Sequence, residues 1–295
     1  EKNILIENNF DLNLEEKAKI KQLEENLLFI RNKRVKPLFD NKSQTDQNAF
    51  LIDVMLNASI VLENNEIREF AIKKFKTLDE KISKKVFHCY QSNEVDVFLE
   101  DYVFYSKLLI NLYEIEGNNE YLNKSIKLMN DVWNLFYDEK SQLLQKNQIK
   151  ENDLFVNPID LNDNNIPNGN SIYLILCNKL YAITNDKNWY NKIEILQKSF
   201  HQILNSNFSQ MFSFIKALDI CNETISFTFY GDPKKTEDIK HKLLKDFSDR
   251  AIFVYKNQEN EDPCVVICKN QTCSNKISGI NEINAYLKAH NITHD

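Results

Sequence analysis

Three short polar segments of this sequence each precede a strongly apolar run, and their residue types suit proton transfer and ligand binding. They cover residues 40–48 (DNKSQTDQN), residues 100–102 (EDY) and residues 160–171, which end in PNGNS. Carboxylates can donate or accept protons, while lysine, tyrosine and amide side chains can orient a ligand that carries hydroxyl or anionic groups. If the apolar runs are helices, the free N–H groups at their starts favour the same ligands.

The middle segment holds the strongest candidates for acid–base chemistry, Glu100 and Asp101. Both lie within an otherwise apolar stretch, so at least one of them should be buried, either with a partner or with a raised pKa. Adjacent residues point about 100° apart on a helix, so we do not expect the two carboxyl groups to act on each other. A pairing of Asp101 with Lys42 or Asp40 across a shared funnel is the more plausible arrangement.

The candidate site therefore has two groups of residues. The candidate catalytic residues are Asp101 and Glu100, and the candidate ligand-binding residues are Asp40, Lys42, Asn48, Tyr102, Asn170 and Ser171. The alternative that each is a helix cap or a structural hydrogen-bonding group stays open, because polar residues at helix starts frequently serve as caps. None of the five histidines falls at a predicted inner-helix start, which argues against histidine-dependent chemistry. No HExxH, GxSxG, Walker or GxGxxG pattern is present, and we predict no metal and no other cofactor.

The elements that must position these residues alternate between amphipathic and strongly apolar helices. The apolar helices are predicted to begin near residues 45, 97, 169 and 208, each after an amphipathic helix such as residues 14–30, which carries one apolar stripe to be buried. This alternation is typical of stacked αα-hairpins with an inner and an outer layer. For residues 1–222 we predict a mainly α fold, a partial (α/α)6 toroid of the six-hairpin glycosidase-like class with about four hairpins. The loops that enter its inner helices would open onto a central funnel.

A change of composition at Thr224 marks a second, smaller unit. Three β-type runs cover residues 225–230, 251–255 and 264–268, and helical patterns cover residues 237–247 and 280–289. We predict a small α/β unit over residues 223–295, appended to the helical body.

Composition excludes several classes of protein. With 4 Gly and 5 Pro in 295 residues, the chain is unlike a turn-rich β-sandwich or a protein built on glycine-rich phosphate loops. The 37 basic and 43 acidic residues give a net charge of −6, so nucleic acid is not an expected partner. There is no apolar run of about 18 residues and no signal-peptide pattern, so we expect a cytoplasmic protein without a membrane partner. A start without Met fits a piece of a longer protein.

Five segments resemble motifs of a known family. They are RVKPLFDNK (residues 34–42), FLEDYVF (98–104), LLINLYE (108–114), PNGNS (167–171) and CKNQTC (268–273). The chain resembles, over essentially its whole length, the thioredoxin-domain-containing family that includes the bacterial YyaL proteins and spermatogenesis-associated protein 20. The family's usual forms are FLEDYA, PSGNS and R-x-x-P-x-x-DDK-x-L-T-x-WN. This chain departs from them at Asn41, Gln44, Gln47 and Asn168, and Gln47 replaces a tryptophan on which a sugar would stack.

The resemblance implies a thioredoxin-like domain followed by an (α/α)6 toroid similar to N-acylglucosamine 2-epimerases and cellobiose epimerases. This chain has no CxxC motif and no thioredoxin-like segment, so it is similar to the C-terminal portion of the family alone. We therefore predict a helical-toroid module of a thioredoxin-domain-containing protein, with a polar funnel suited to a carbohydrate-like ligand. In that funnel Lys42 and Tyr102 would orient the ligand and Asn170 would donate hydrogen bonds. Whether such a module is epimerase- or isomerase-like, or degenerate, stays open.

Two alternatives remain beside this hypothesis. One is a non-enzymatic interaction scaffold that works with a thioredoxin-like domain or partner. The other is a redox role for Cys264, Cys268 and Cys273, whose spacing lacks the paired C-x2-C knuckles of structural zinc sites.

Overall fold

The computed structural model describes residues 12–82, 85–89, 97–148, 158–232, 235–248, 250–256, 262–270 and 272–292. It divides the chain into two compact units, residues 1–42 and residues 43–295. The first unit contains one described helix, α1 (Leu14–Asn32), which begins with a capping box formed by Asn13 and Glu16. None of the residues of α1 is buried, so its expected buried stripe is wrong.

The second unit begins with three helical hairpins. The helices are α2 (Thr45–Val61), α3 (Asn65–Ile82), α4 (Leu99–Glu116), α5 (Asn119–Phe136), α6 (Gly169–Thr184) and α7 (Lys187–Asn207). Each even-numbered helix packs against the odd-numbered helix that follows it, and α2, α4 and α6 also pack side by side. The even-numbered helices are therefore an inner row and the odd-numbered helices an outer row, as the alternation of apolar and amphipathic patterns predicts. A short hairpin of β1 (Tyr137–Asp138) and β2 (Leu143–Leu144) follows α5.

The inner row ends with α8 (Phe212–Asn222), which packs against α6 after a 3-10 turn at Phe208–Gln210. Its pattern predicts a buried helix, yet the side chains of Phe208 and Phe212 are 63% and 66% exposed. The reason is position, because an inner helix is covered on both sides only when it has two inner neighbours. Among the described inner helices, α6 is the one that packs extensively against α8.

A four-stranded sheet with two helices completes the unit. It contains β3 (Ile225–Tyr230), α9 (Glu237–Phe247), β4 (Ala251–Lys256), β5 (Cys264–Lys269), β6 (Thr272–Cys273) and α10 (Ile280–Ala289). The strand order is β4-β3-β5-β6; β3 is parallel to β4, with Ile225 opposite Ala251, and antiparallel to β5, with Ile225 opposite Lys269. The α9 crossover is what allows β3 and β4 to run parallel.

The sheet contacts the inner helices through β4. The buried carboxylate of Glu114 accepts a 3.3 Å hydrogen bond from the N–H of Phe253, and the ring of Tyr255 packs edge-on against that of Tyr113. Gly117 ends α4 with φ of +72°, a backbone conformation that glycine adopts without strain, and a Cβ there would lie 3.4 Å from the Tyr255 ring. The predicted fold class, mainly α with helical hairpins and a small C-terminal α/β unit, is confirmed. The predicted boundary between residues 222 and 223 stays a prediction.

No described helix combines the length and the apolar character that crossing a bilayer requires.

Candidate functional site

The starts of α2, α4 and α6 meet at one end of the inner row. The N–H of Asp46 in α2 donates to Asp101 in α4. At the start of α6, a Cβ built on Gly169 would lie 3.1 Å from the Glu100 carboxylate and 2.8 Å from the Leu99 side chain. We call this region the polar end; it comprises Gln44, Asp46, His88, Glu100 and Asp101 with the first residues of the three helices. The starts of α2, α4 and α6 therefore converge, as the sequence predicts.

Asp101 joins two of these helices. Its carboxylate is fully buried and accepts hydrogen bonds from the N–H of Phe98 at 2.9 Å, the N–H of Asp46 at 3.2 Å and Nδ1 of His88 at 3.1 Å. The bond from Phe98 caps α4, and the bond from Asp46 satisfies a free N–H in the first turn of α2. Within the second unit these are the partners described for Asp101. The expected pairing with Lys42 or Asp40, which belong to the first unit, stays a prediction.

His88 is the residue that sequence reasoning missed. It lies in the segment between α3 and α4, where the 3.6-residue periodicity stops, so no helix start pointed to it. Its Nδ1 faces both oxygens of Asp101, its Nε2 lies 3.0 Å from Nε2 of Gln44, and its ring packs edge-on against Phe98. The hydrogen bond to Asp101 raises the pKa of His88, and the charges of Asp101, Asp46 and Glu100 act in the same direction, against a lowering by burial. His88 lies outside the described helices, as the sequence predicts, yet the fold brings its ring to Asp101 in the first turn of α4. Position along the chain therefore does not exclude a histidine from this end.

Glu100 faces a different side of α4 from Asp101, toward Gly169 at the start of α6, since successive helical residues point about 100° apart. Its Oε2 is buried and has no hydrogen-bond partner in the described part of the chain. Burial raises the pKa of Glu100; Lys146 opposes this shift, and the charges of Asp160 and Asp101 add to it. Lys146 Nζ lies 3.9 Å from Oδ2 of Asp160. Glu100 is thus a carboxyl group that the fold holds toward its protonated form.

Asp46, His88 and Asp101 place one potential metal-ligand atom each within 4.8 Å of one another. Burial, and next the charge of Asp101, raise the pKa of Asp46. The donor set does not suit a cation as it stands, because the Asp101 oxygens already accept three hydrogen bonds, two of them from backbone N–H groups that close helix ends. The arrangement is that of a hydrogen-bonded histidine and carboxylate.

Two other expected ligand-binding residues at this end are held in structural contacts. The amide of Asn170, which is fully buried, bridges the backbone of Leu144, accepting from its N–H at 2.9 Å and donating to its carbonyl at 2.8 Å. Nδ2 of Asn48 donates to Ser43 Oγ at 3.1 Å and to the carbonyl of Gln44 at 2.6 Å. The cap alternative therefore describes these two side chains.

The remaining expected residues fall in different surroundings. Tyr102 is buried and packs edge-on against Phe136, and Ser171 is fully buried with its Oγ unbonded in the described part of the chain. Asp40 and Lys42 belong to the first unit, where both are exposed and their side chains pair at 3.5 Å. The polar end thus brings together Glu100 and Asp101 from the expected set and adds His88, Asp46 and Gln44.

A second carboxylate, Asp163, plays for α6 and α8 the part that Asp101 plays for α2 and α4. It accepts from the N–H of Asn168 at 3.0 Å and from the N–H of Ser213 at 2.6 Å, and the Ser213 hydroxyl also donates to it. The junction of α4 and α6 differs from the junctions of α2 with α4 and of α6 with α8. Its carboxyl group is Glu100, one oxygen of which has no hydrogen-bond partner among the described residues. A carboxyl group with spare hydrogen-bonding capacity is what a ligand site requires.

The three late cysteines do not form one cluster. Cys268 and Cys273 are joined by a disulfide across β5 and β6, whereas Cys264 is buried and lies outside this disulfide.

Comparisons with known proteins give a likeness of fold. No protein-family model matches the sequence, and a search of curated proteins gives no significant match. Among solved structures, the chain is similar to a family 76 α-mannanase of Bacteroides thetaiotaomicron, with 14% identity over 68% of this chain and 62% of that one, and a TM-score of 0.49. It is also similar to an inactive variant of an α-1,6-mannanase of Salegentibacter in complex with α-1,6-mannotriose (13% identity, 64% and 54% of the chains, TM-score 0.44). A third is the cellobiose 2-epimerase of Bacillus thermoamylovorans (16% identity, 53% and 44% of the chains, TM-score 0.42).

The chain spans between 44% and 62% of the length of these structures. The likeness concerns the fold alone.

Proposed function

We propose that the polar end binds a carbohydrate-like ligand and carries out acid–base chemistry on it, with Glu100 as the proton donor and His88 as the base. The observation that carries this proposal is the buried Glu100 carboxyl group, with one oxygen unbonded, beside the hydrogen-bonded His88 and Asp101. Two titratable groups of different character at one end of the inner row are what acid–base catalysis requires.

Glu100 suits the role of the acid. A carboxyl group donates a proton near neutral pH only when its pKa is raised, and burial raises the pKa of Glu100. Its Oε2 is buried and makes no hydrogen bond in the described part of the chain, so a ligand hydroxyl that gains access to this atom would break no existing hydrogen bond to it.

His88 suits the role of the base because Asp101 orients it. When Nδ1–H donates to Asp101, Nε2 carries the lone pair and accepts from the Gln44 amide. A ligand hydroxyl that displaces this amide would then meet the basic nitrogen. In this arrangement Asp101 is a positioning residue, and its fully buried carboxylate does not touch the ligand.

The resemblance to the thioredoxin-domain-containing family adds the context of a longer protein, in which this chain would be the C-terminal helical module. The alternative of a non-enzymatic scaffold for a thioredoxin-like partner stays a prediction. It differs from the proposal in requiring no sugar binding at the polar end.

The test is isothermal calorimetry with α-1,6-mannotriose and cellobiose, the sugars named for the similar structures. We expect at least one to bind the wild-type chain, and Glu100→Gln and His88→Gln each to weaken binding by up to about tenfold, the effect of one hydrogen bond. Asp219→Asn, which changes an exposed carboxylate on α8, is the matched control and should leave affinity within about twofold. Binding that Glu100→Gln and Asp219→Asn affect equally would contradict the proposal. Absence of sugar binding together with binding of thioredoxin would favour the scaffold.

A further inference from the structure

A cavity of about 710 Å³ lies among the inner helices. The described residues that line it come from α2, α4, α6 and α8 and from the end of α9 through β4, and none of the five named residues of the polar end is among them. Its volume falls within the range of small-molecule sites, roughly 300–1,000 Å³.

Aliphatic residues are the largest group in the cavity wall. Ten of the described lining residues are Val, Ala, Leu or Ile, and Phe50 is the aromatic residue among them. On α2 the wall includes Val54, Val61 and Leu62, which are 45%, 51% and 65% exposed. Aliphatic groups cannot form the hydrogen bonds that the hydroxyls of a sugar ring make with water. An apolar ligand of matching shape would instead remove the aliphatic surface of the wall from water.

The charged groups of the wall are mainly cationic. Of the described lining residues five are Lys or Arg, and Asp53 is the acidic one. Lys107 pairs with Asp53, and Lys179 pairs with Glu114 behind the wall; both carboxylates are buried. An ammonium group has three N–H donors, so each lysine can bond a ligand anion while it keeps its carboxylate partner. This cationic wall stands out in a chain whose net charge is −6.

We propose that the cavity binds an amphipathic anion, a molecule with an aliphatic body and one carboxylate or phosphate group. The aliphatic body lies against α2 and α6, and the anionic group accepts hydrogen bonds from Lys107 and Lys179. This inference is independent of the proposed function, because the two sites share none of the residues named for the polar end.

Calorimetry with four probes that each carry a ten-carbon chain tests the charge requirement. The probes are decanoate, decyl phosphate, decanol and decyltrimethylammonium. We expect one or both anions to bind about tenfold more tightly than decanol, and the cation to bind more weakly than decanol. Which anion binds more tightly distinguishes a carboxylate from a phosphate ligand. Equal affinities for the anions, decanol and the cation would overturn the proposal.

A matched pair of variants on α2 locates the binding. Val54 lines the cavity and Leu51 does not, while both are exposed apolar residues of the same helix, at 45% and 57%. Val54→Asp should weaken anion binding by about tenfold, and Leu51→Asp should leave it within about twofold. Equal effects of the two substitutions would overturn the assignment to this cavity.

A double variant examines the anionic group. Replacing Lys107 alone would leave Asp53 as an unpaired buried charge, so the change is Lys107→Gln with Asp53→Asn. We expect this variant to lose most of its preference for the anions over decanol while still binding decanol. An unchanged preference would overturn the role of Lys107. If the double variant fails to fold, as judged by circular dichroism, the α2 pair still decides the proposal.

Discussion

Replacing Asp101 by asparagine tests the hydrogen bonds through which this carboxylate links α2 and α4. The carboxylate accepts three hydrogen bonds, from Phe98, Asp46 and His88, at 2.9 to 3.2 Å. Asparagine keeps one accepting oxygen and turns an NH2 group toward N–H donors, so one to two of these bonds are lost. At about 1.5–3 kcal/mol for each bond to a charged group, the expected loss of unfolding free energy is about 3 kcal/mol. In a unit of this size that lowers Tm by about 6–12 °C.

The assay is thermal and denaturant unfolding of Asp101→Asn beside Asp219→Asn, an exposed carboxylate that serves as the control. The loss should also depend on pH. Because the pKa of His88 is raised from its usual 6.5, the pair stabilises fully below about pH 6.5, and this contribution is lost as pH rises through the raised pKa. The difference between wild type and Asp101→Asn should therefore be larger at about pH 6 than at about pH 8.5. A loss below about 1 kcal/mol, equal to that of the control, would refute the role of Asp101 in linking α2 and α4.

Three further predictions concern Glu100, Gly169 and the disulfide. Glu100→Met should abolish activity yet raise the unfolding free energy at pH 7 by about 1–2 kcal/mol, because it removes a desolvated carboxyl group. This gain should vanish below pH 4.5, where the group is protonated in both folded and unfolded states; a gain that is independent of pH would contradict it. Gly169→Ala should lower stability by about 1–3 kcal/mol in denaturant unfolding, since its Cβ would lie 2.8 Å from the Leu99 side chain. Gly279→Ala, whose Cβ would meet nothing within 4 Å, is its control, and equal losses would count against the close packing of α4 and α6. Mass spectrometry of the unreduced protein should find the two cysteines of the β5–β6 hairpin linked; free thiols at both positions would be the opposite result.

Local patterns were sufficient to predict the helical pairs. An apolar run such as α4 and an amphipathic run such as α5 differ in periodicity, and periodicity reports how many faces of a helix are buried. The convergence of α2, α4 and α6 at a polar end follows from stacking hairpins side by side. Composition alone could not show that α8 lies at the end of the inner row, so the exposure of Phe208 and Phe212 was unexpected.

The candidate site was only partly predictable because hydrogen-bond partners depend on tertiary structure. Glu100 and Asp101 could be recognised as acidic residues within an apolar stretch. His88 could not be recognised in the same way, since it lies in a segment without periodicity and reaches Asp101 through the fold. No local pattern points to His88, which precedes α4 by 11 residues. The amide of Asn170 was a candidate for ligand binding, but its partner, Leu144, lies 26 residues away in the β1–β2 hairpin.

The proposed function depends on where a sugar contacts the chain, and nuclear magnetic resonance of the histidine rings measures this most directly. The ring signals of His88, His201 and His290 are followed while α-1,6-mannotriose or cellobiose is added. We predict that the His88 signals shift in proportion to ligand bound and that the pKa of His88 changes, because the ligand replaces the Gln44 amide at Nε2. The exposed His201 and His290 should keep their positions. Saturating ligand that leaves the His88 signals unmoved, or that shifts all three histidines equally, would contradict the assignment of the polar end.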